Sequence, residues 1–161
     1  TDPSGVYAVT WAPGDLEMEI KMPAAPVYSD GSTPVTAMQA AFELWNQELG
    51  TLQFVPHVSA GTQYNLLNGI NEVVMDSTID GYSFGESTLA VAVYFRDIDR
   101  KVESDVIFNT AFSWDSYRGA LRDSAVDIRR VAVHEFGQAP RSGPARPVRL
   151  CVNEQRGERR G

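Results

Sequence analysis

Residues 124–138 read Ser-Ala-Val-Asp-Ile-Arg-Arg-Val-Ala-Val-His-Glu-Phe-Gly-Gln. Ser124 followed by Asp127 matches a capping box, and Ile128 to Phe136 continue as a helix. His134 and Glu135 stand inside that helix. In the pattern H-E-x-x-H, positions i and i+4 share a helix face, so two imidazoles can grip one Zn²⁺. The glutamate between them polarises the metal-bound water and moves its proton. Here Gln138 stands in the place of the second imidazole. A lone helical His is more often structural than a ligand, so the decision falls to the surrounding sequence.

Upstream, Leu16, Met18, Ile20 and Met22 alternate with Glu17, Glu19 and Lys21, which predicts a half-buried strand. Val6 to Trp11 alternates more loosely. Thr33 is placed to cap a helix with Pro34 at its first position. Val35, Met38, Phe42, Trp45 and Leu49 then form one apolar face of a helix that ends at Gly50. Residues 52–58, 69–75, 88–95 and 102–108 read as strands, with Pro56 marking an edge or a terminus. Residues 76–85 and 109–123 read as loops. The order β, α, β, β, β, β, α predicts an α+β or α/β domain with one mixed sheet and two helices.

The chain has 161 residues and a net charge of −7, enough length for one domain with a real core. Its single cysteine, Cys151, excludes a disulfide-stapled scaffold. No apolar run reaches the roughly 18 residues of a membrane helix. The acidic balance argues against a nucleic-acid partner. Thr1 carries neither an initiator Met nor a signal-peptide pattern, so a processed chain or a fragment is expected. The charge is uneven: residues 1–137 carry −11 and residues 138–161 carry +4. This tail also holds Pro140, Pro144 and Pro147, has no Asp or His, and shows neither helical nor alternating periodicity.

Several ordered motifs carry a resemblance. Asp105 to Asn109, Trp114 to Gly119 and Arg130 to Gly137, preceded by Asn68 to Val74 and Gly85 to Val91, resemble the matrixin-type zinc metallopeptidases of the metzincin clan. The helix with Ala41, Phe42 and Trp45 resembles their first helix, and the likeness spans roughly residues 7–137. It implies a zincin-like α+β fold: a twisted mixed sheet, a long first helix and an active-site helix, with the C-terminal subdomain missing. It implies endopeptidase hydrolysis, with a zinc-bound water, His134 as zinc ligand and Glu135 as general base. Gln138 would occupy the second-ligand position. The family continues H-E-x-x-H-x-x-G-x-x-H and a Met-containing turn. None of this follows Gly137, so the chain is expected to be defective as a zinc enzyme. The alternative is an inactive remnant, or a peptide- or calcium-binding module without catalysis.

The tail, 138–161, is expected to be disordered or out of frame. A one-nucleotide shift from Pro140 onward is compatible with a family-like continuation that includes a Met. Matrixins often bind calcium, which makes Asp80 and Asp105 candidate ligands within the acidic segments 76–86 and 97–105. Val91 and Ile107 stand where vertebrate-type members place structural-zinc histidines, so that second zinc is not expected. Leu89 and Ala90 resemble the edge strand that binds substrate through its main chain. Trp114 and Tyr117 could line the cleft or pack as core lids, and His57 reads as structural. The resemblance further implies a protein or peptide substrate, a monomer, no membrane partner and an extracellular location.

Overall fold

The structure, a computed structural model, describes residues 11–96, 101–138 and 151–156. The loose alternation expected over residues 6–11 lies outside the described residues except for Trp11. Strand β1 (Gly14–Lys21) forms where the alternation predicts it. Leu16, Met18, Ile20 and the following Met22 are buried on one face. The helix α1 (Pro34–Glu48) starts as expected: Thr33 is the N-cap, and Thr36 completes a reciprocal capping box with it. The helix ends one turn on from Trp45, at Leu49, whose extended backbone donates its N–H to the Trp45 carbonyl. The expected end at Gly50 is thus met to within a residue or two, and Gly50 follows the cap without adopting a left-handed conformation.

Strand β2 (Leu52–Val58) lies parallel to β1 at the edge of the sheet, where Pro56 costs no second ladder. β3 (Glu72–Asp76) flanks β1 on its other side, also parallel. β4 (Thr88–Arg96) and β5 (Lys101–Asn109) form an antiparallel pair, and β5 runs parallel to β3.

One short strand, β6 (Trp114–Asp115), interrupts the loop expected over residues 109–123, and it pairs parallel with a second, β7 (Val126–Asp127), just beyond that loop. The second helix, α2 (Ile128–Gln138), follows β7 directly. Its first turn is capped by Asp127, whose Oδ1 accepts from the backbone N–H of Arg129 at 3.1 Å and of Arg130 at 3.5 Å. The expected cap at Ser124 is thus corrected. Ser124 lies exposed, three residues before the last strand position, where it cannot reach the helix's orphan N–H groups.

A last strand, β8 (Cys151–Arg156), pairs antiparallel with the outer side of β4. The order across the sheet is β2-β1-β3-β5-β4-β8. The architecture is α+β with one mixed sheet. Residues 151–156 belong to the tail whose sequence showed no periodicity; they are the one described part of it beyond Gln138.

Both helices bury their apolar faces on the side of the sheet that carries Leu16, Met18, Ile20, Val73, Ala90, Ala92, Val106 and Phe108. The opposite side carries Val74, Val91, Val93 and Ile107, with Phe95 of β4 beside them and Tyr64, Leu66 and Phe84 packed over them. Among the described residues no helix is long and apolar enough to cross a membrane.

Candidate functional site

The helix α2 is held by its own aromatic residues and by α1. Phe136 stacks on Phe42 with ring centroids 3.9 Å apart and planes 4° from parallel. The indole N–H of Trp45 donates to the Val133 carbonyl at 2.7 Å. Gly137 lies directly under that indole: a Cβ there would overlap Trp45 Cζ2 and lie 3.1 Å from Cη2. So the glycine after His-Glu-Phe is required by close packing of the two helices. These contacts fix the rotation of α2 and with it the direction of the two residues before Phe136.

That rotation separates His134 from Glu135. His134 is exposed, whereas Glu135 has no solvent exposure at all. Neither Glu135 oxygen has a hydrogen-bond partner among the described residues. Burial alone pushes its carboxyl up to about 8, since an ion without partners in an apolar site is strongly disfavoured. The side chain is therefore a neutral acid through most of the physiological range. Buried polar atoms left unpaired are rare in proteins and concentrate at functional sites.

The proposed substrate residues lie on the strand beside this helix. β4 packs against α2, with Leu89 nearly buried and Ala90 fully so. Ala90 pairs with Phe108 of β5 on one side and with Gln155 of β8 on the other. The outer edge of β4 is thus able to take an antiparallel strand, and in this chain β8 takes it. β8 also approaches α2, with Cα atoms within 8 Å.

The donor set does not fit a catalytic zinc. Such a site uses three protein ligands, usually imidazoles or carboxylates. The chain has two histidines, His134 and His57. His57 stands on β2 with its Nε2 3.8 Å from Glu17 Oε1, on the edge of the sheet far in strand order from β4. Positions 134 and 138 share a face of α2, but an amide oxygen at Gln138 is a weak neutral donor. Among the described residues no three His, Cys, Asp or Glu side chains converge as a metal site. The structure supplies no geometry through which a metal-dependent step could be derived.

The two calcium candidates lie near opposite ends of β3. Asp80 sits in the exposed turn after the strand, in left-handed conformation at φ 49°, its N–H donating to the Tyr64 hydroxyl at 2.8 Å. Asp105 is buried on β5, where its Oδ1 accepts from the Glu72 N–H at 3.0 Å. The structure does not bring the two together. Asp105 belongs instead to a carboxylate cluster with Glu72 and Glu103, which strand patterning gave no reason to single out. Lys21 Nζ stands 2.5 Å from Glu72 Oε1. Gly69 N–H donates to Glu103 Oε2 at 2.6 Å, and Asn68 Nδ2 to Glu72 Oε2 at 3.3 Å. Burial, reinforced by the charge of Glu103, pushes the Asp105 carboxyl up to about 9.

Trp114 and Tyr117 pack as lids. Trp114 meets Phe108 edge-on, and its indole N–H donates to the Asn109 carbonyl at 3.0 Å. Tyr117 is buried, with its hydroxyl donating to the Ala125 carbonyl at 3.0 Å and Arg122 over its ring. Val91 and Ile107 are fully buried among apolar neighbours. Compared with known proteins, the sequence matches no family model and no curated protein.

Proposed function

We propose that this chain is a matrixin-like peptidase domain that keeps the peptide-docking strand and the Glu135 acid of the hydrolytic helix but is defective as a zinc enzyme. The observation that carries the reading is Glu135: a fully buried carboxyl with no partner among the described residues, on a helix packed against the strand β4. A core position has no use for such a group, and an acid–base site does. Support also comes from the arrangement around it, a mixed sheet with α1 and α2 on one face and an antiparallel strand towards one edge. The role of β4 is to hold an extended peptide through main-chain hydrogen bonds. Glu135, a neutral acid at rest, is carried by the helix that packs against that strand. The missing imidazoles at position 138 and beyond it remove the ligand set that hydrolysis in this family uses. The substrate class is protein or peptide, and by the same resemblance the site of action is extracellular.

Zinc content after dialysis and hydrolysis of an unfolded protein substrate test this. The expected result is well under one zinc per chain and no hydrolysis. Gln138→His, which adds a second imidazole on the face of His134, is expected to raise zinc retention. Stoichiometric zinc in the unaltered chain, with hydrolysis that Glu135→Gln abolishes, would reject the defect. No gain in zinc retention by Gln138→His would count against the metallopeptidase reading itself.

A further inference from the structure

The strand β8 lies where a docking peptide would lie. It runs antiparallel to β4 over Thr88 to Tyr94, pairing Ala90 with Gln155, Ala92 with Asn153 and Tyr94 with Cys151. It also approaches the helix that carries His134 and Glu135. An added strand gains its main affinity from backbone hydrogen bonds, which are the same for any extended segment of suitable direction. A segment tethered to the same chain competes at high effective concentration against anything in solution. From this we infer that the outer edge of β4 is a docking strand for extended peptides and that residues 151–156 fill it in cis, so that a peptide in trans gains the edge only when β8 leaves. The inference rests on the peptide-docking role proposed above and adds the control of that site.

The occupant is identified by register. Tyr94 and Cys151 are paired residues, and paired residues in an antiparallel ladder have Cα atoms roughly 4.5–5.5 Å apart, within the range a disulfide spans. Cys151 is the only cysteine, so Tyr94→Cys creates a single cross-link option. Thr88 pairs with Arg156, several residues from Cys151, so Thr88→Cys is the control. To release the strand, Val152→Pro and Asn153→Pro are combined. Successive N–H groups of a strand point to opposite sides, so one of two adjacent prolines must delete a ladder bond to β4.

The experiment uses the full chain and a labelled synthetic peptide of residues 149–158 carrying Ser in place of Cys151. Mild oxidation of Tyr94→Cys is expected to join the introduced thiol to Cys151 within one chain, and no such cross-link is expected in Thr88→Cys. The peptide is expected to bind the double-proline variant at least about tenfold more tightly than the unaltered chain, whose edge is open only a fraction of the time. The oxidised cross-linked variant is expected to bind it least, and reduction is expected to restore binding. If Tyr94→Cys forms no bond to Cys151, or if the control forms one equally, the occupancy in cis is overturned while the proposed peptide edge stands. If the cross-link forms but the double-proline variant takes up no peptide, both fall together. Hydrogen exchange of the β4 amides checks that the proline variant is folded: protection should fall along β4 alone and persist in β1 and β3.

Discussion

The residue that most directly ties packing to the site is Gly137. In a helix, Gly→Ala ordinarily gains about 1 kcal/mol from reduced backbone freedom. Here the added methyl would overlap Trp45 Cζ2, and the indole is anchored by its bond to the Val133 carbonyl. Overpacking a fixed ring costs about 1–3 kcal/mol, which outweighs the gain. Gly137→Ala is expected to lower the melting temperature by several degrees, as thermal unfolding by circular dichroism would show. A raised melting temperature would mean that Trp45 moves aside freely.

Glu135 makes a second prediction at this scale. In the unfolded chain the carboxyl ionises near its ordinary value of 4.5, while in the folded chain it keeps its proton up to about 8. Between those pH values the unfolded state binds fewer protons, so Glu135 withdraws stability as pH rises, and the loss levels off above about 8. Glu135→Gln is expected to match the unaltered protein near pH 4 and to exceed it by a few kcal/mol at pH 8. Urea denaturation at the two pH values measures the difference. An equal effect at both would show that the carboxyl is ionised and solvated in the folded protein.

At the scale of elements, the starts of the two helices contrast. Thr33-Pro34 was legible because cap and first turn lie next to each other, and the side chain needs nothing distant to act. The start of α2 was misread because Ser124 and Asp127 have the spacing of a local cap, while the real cap depends on a distant partner. Asp127 is the last residue of β7, and β7 is held by Trp114–Asp115 of β6. Drawing the chain out extended up to β7 leaves Asp127 at the point where it turns helical. Asp127→Ala is expected to cost about 1 kcal/mol or more, and Ser124→Ala close to nothing, in chemical denaturation. Equal losses would restore Ser124 as the cap. The same limit hid β8: its pairing with β4 joins segments far apart in sequence, and nothing in its own six residues alternates.

For the whole molecule, the sheet separates two different interiors. The helix side is aliphatic and aromatic, and its strand positions were readable from alternation in β1. Glu72, Glu103 and Asp105 are polar strand positions that alternation reads as facing water. They are buried because the segment through Asn65, Asn68 and Gly69 folds back and hydrogen-bonds to Glu72 and Glu103. Lys21 is the cation that faces Glu72, and its side chain is mostly buried too. Removing one partner of a buried pair leaves an uncompensated charge at about 3–5 kcal/mol. Lys21→Met is therefore expected to destabilise the protein by that order and to increase protease cleavage within residues 59–71. A loss under about 1 kcal/mol would mean that the Lys21–Glu72 pair contributes little net stability.

The position of β8 in the chain also sets an order in time. Synthesis delivers β4 first and β8 some 55 residues later, from Arg96 to Cys151. At about 5–20 residues per second, several seconds pass in which a nascent β4 has β5 on one side and nothing of its own on the other. During translation that edge is open to whatever extended chain is nearby, including the neighbouring nascent copy on the same message.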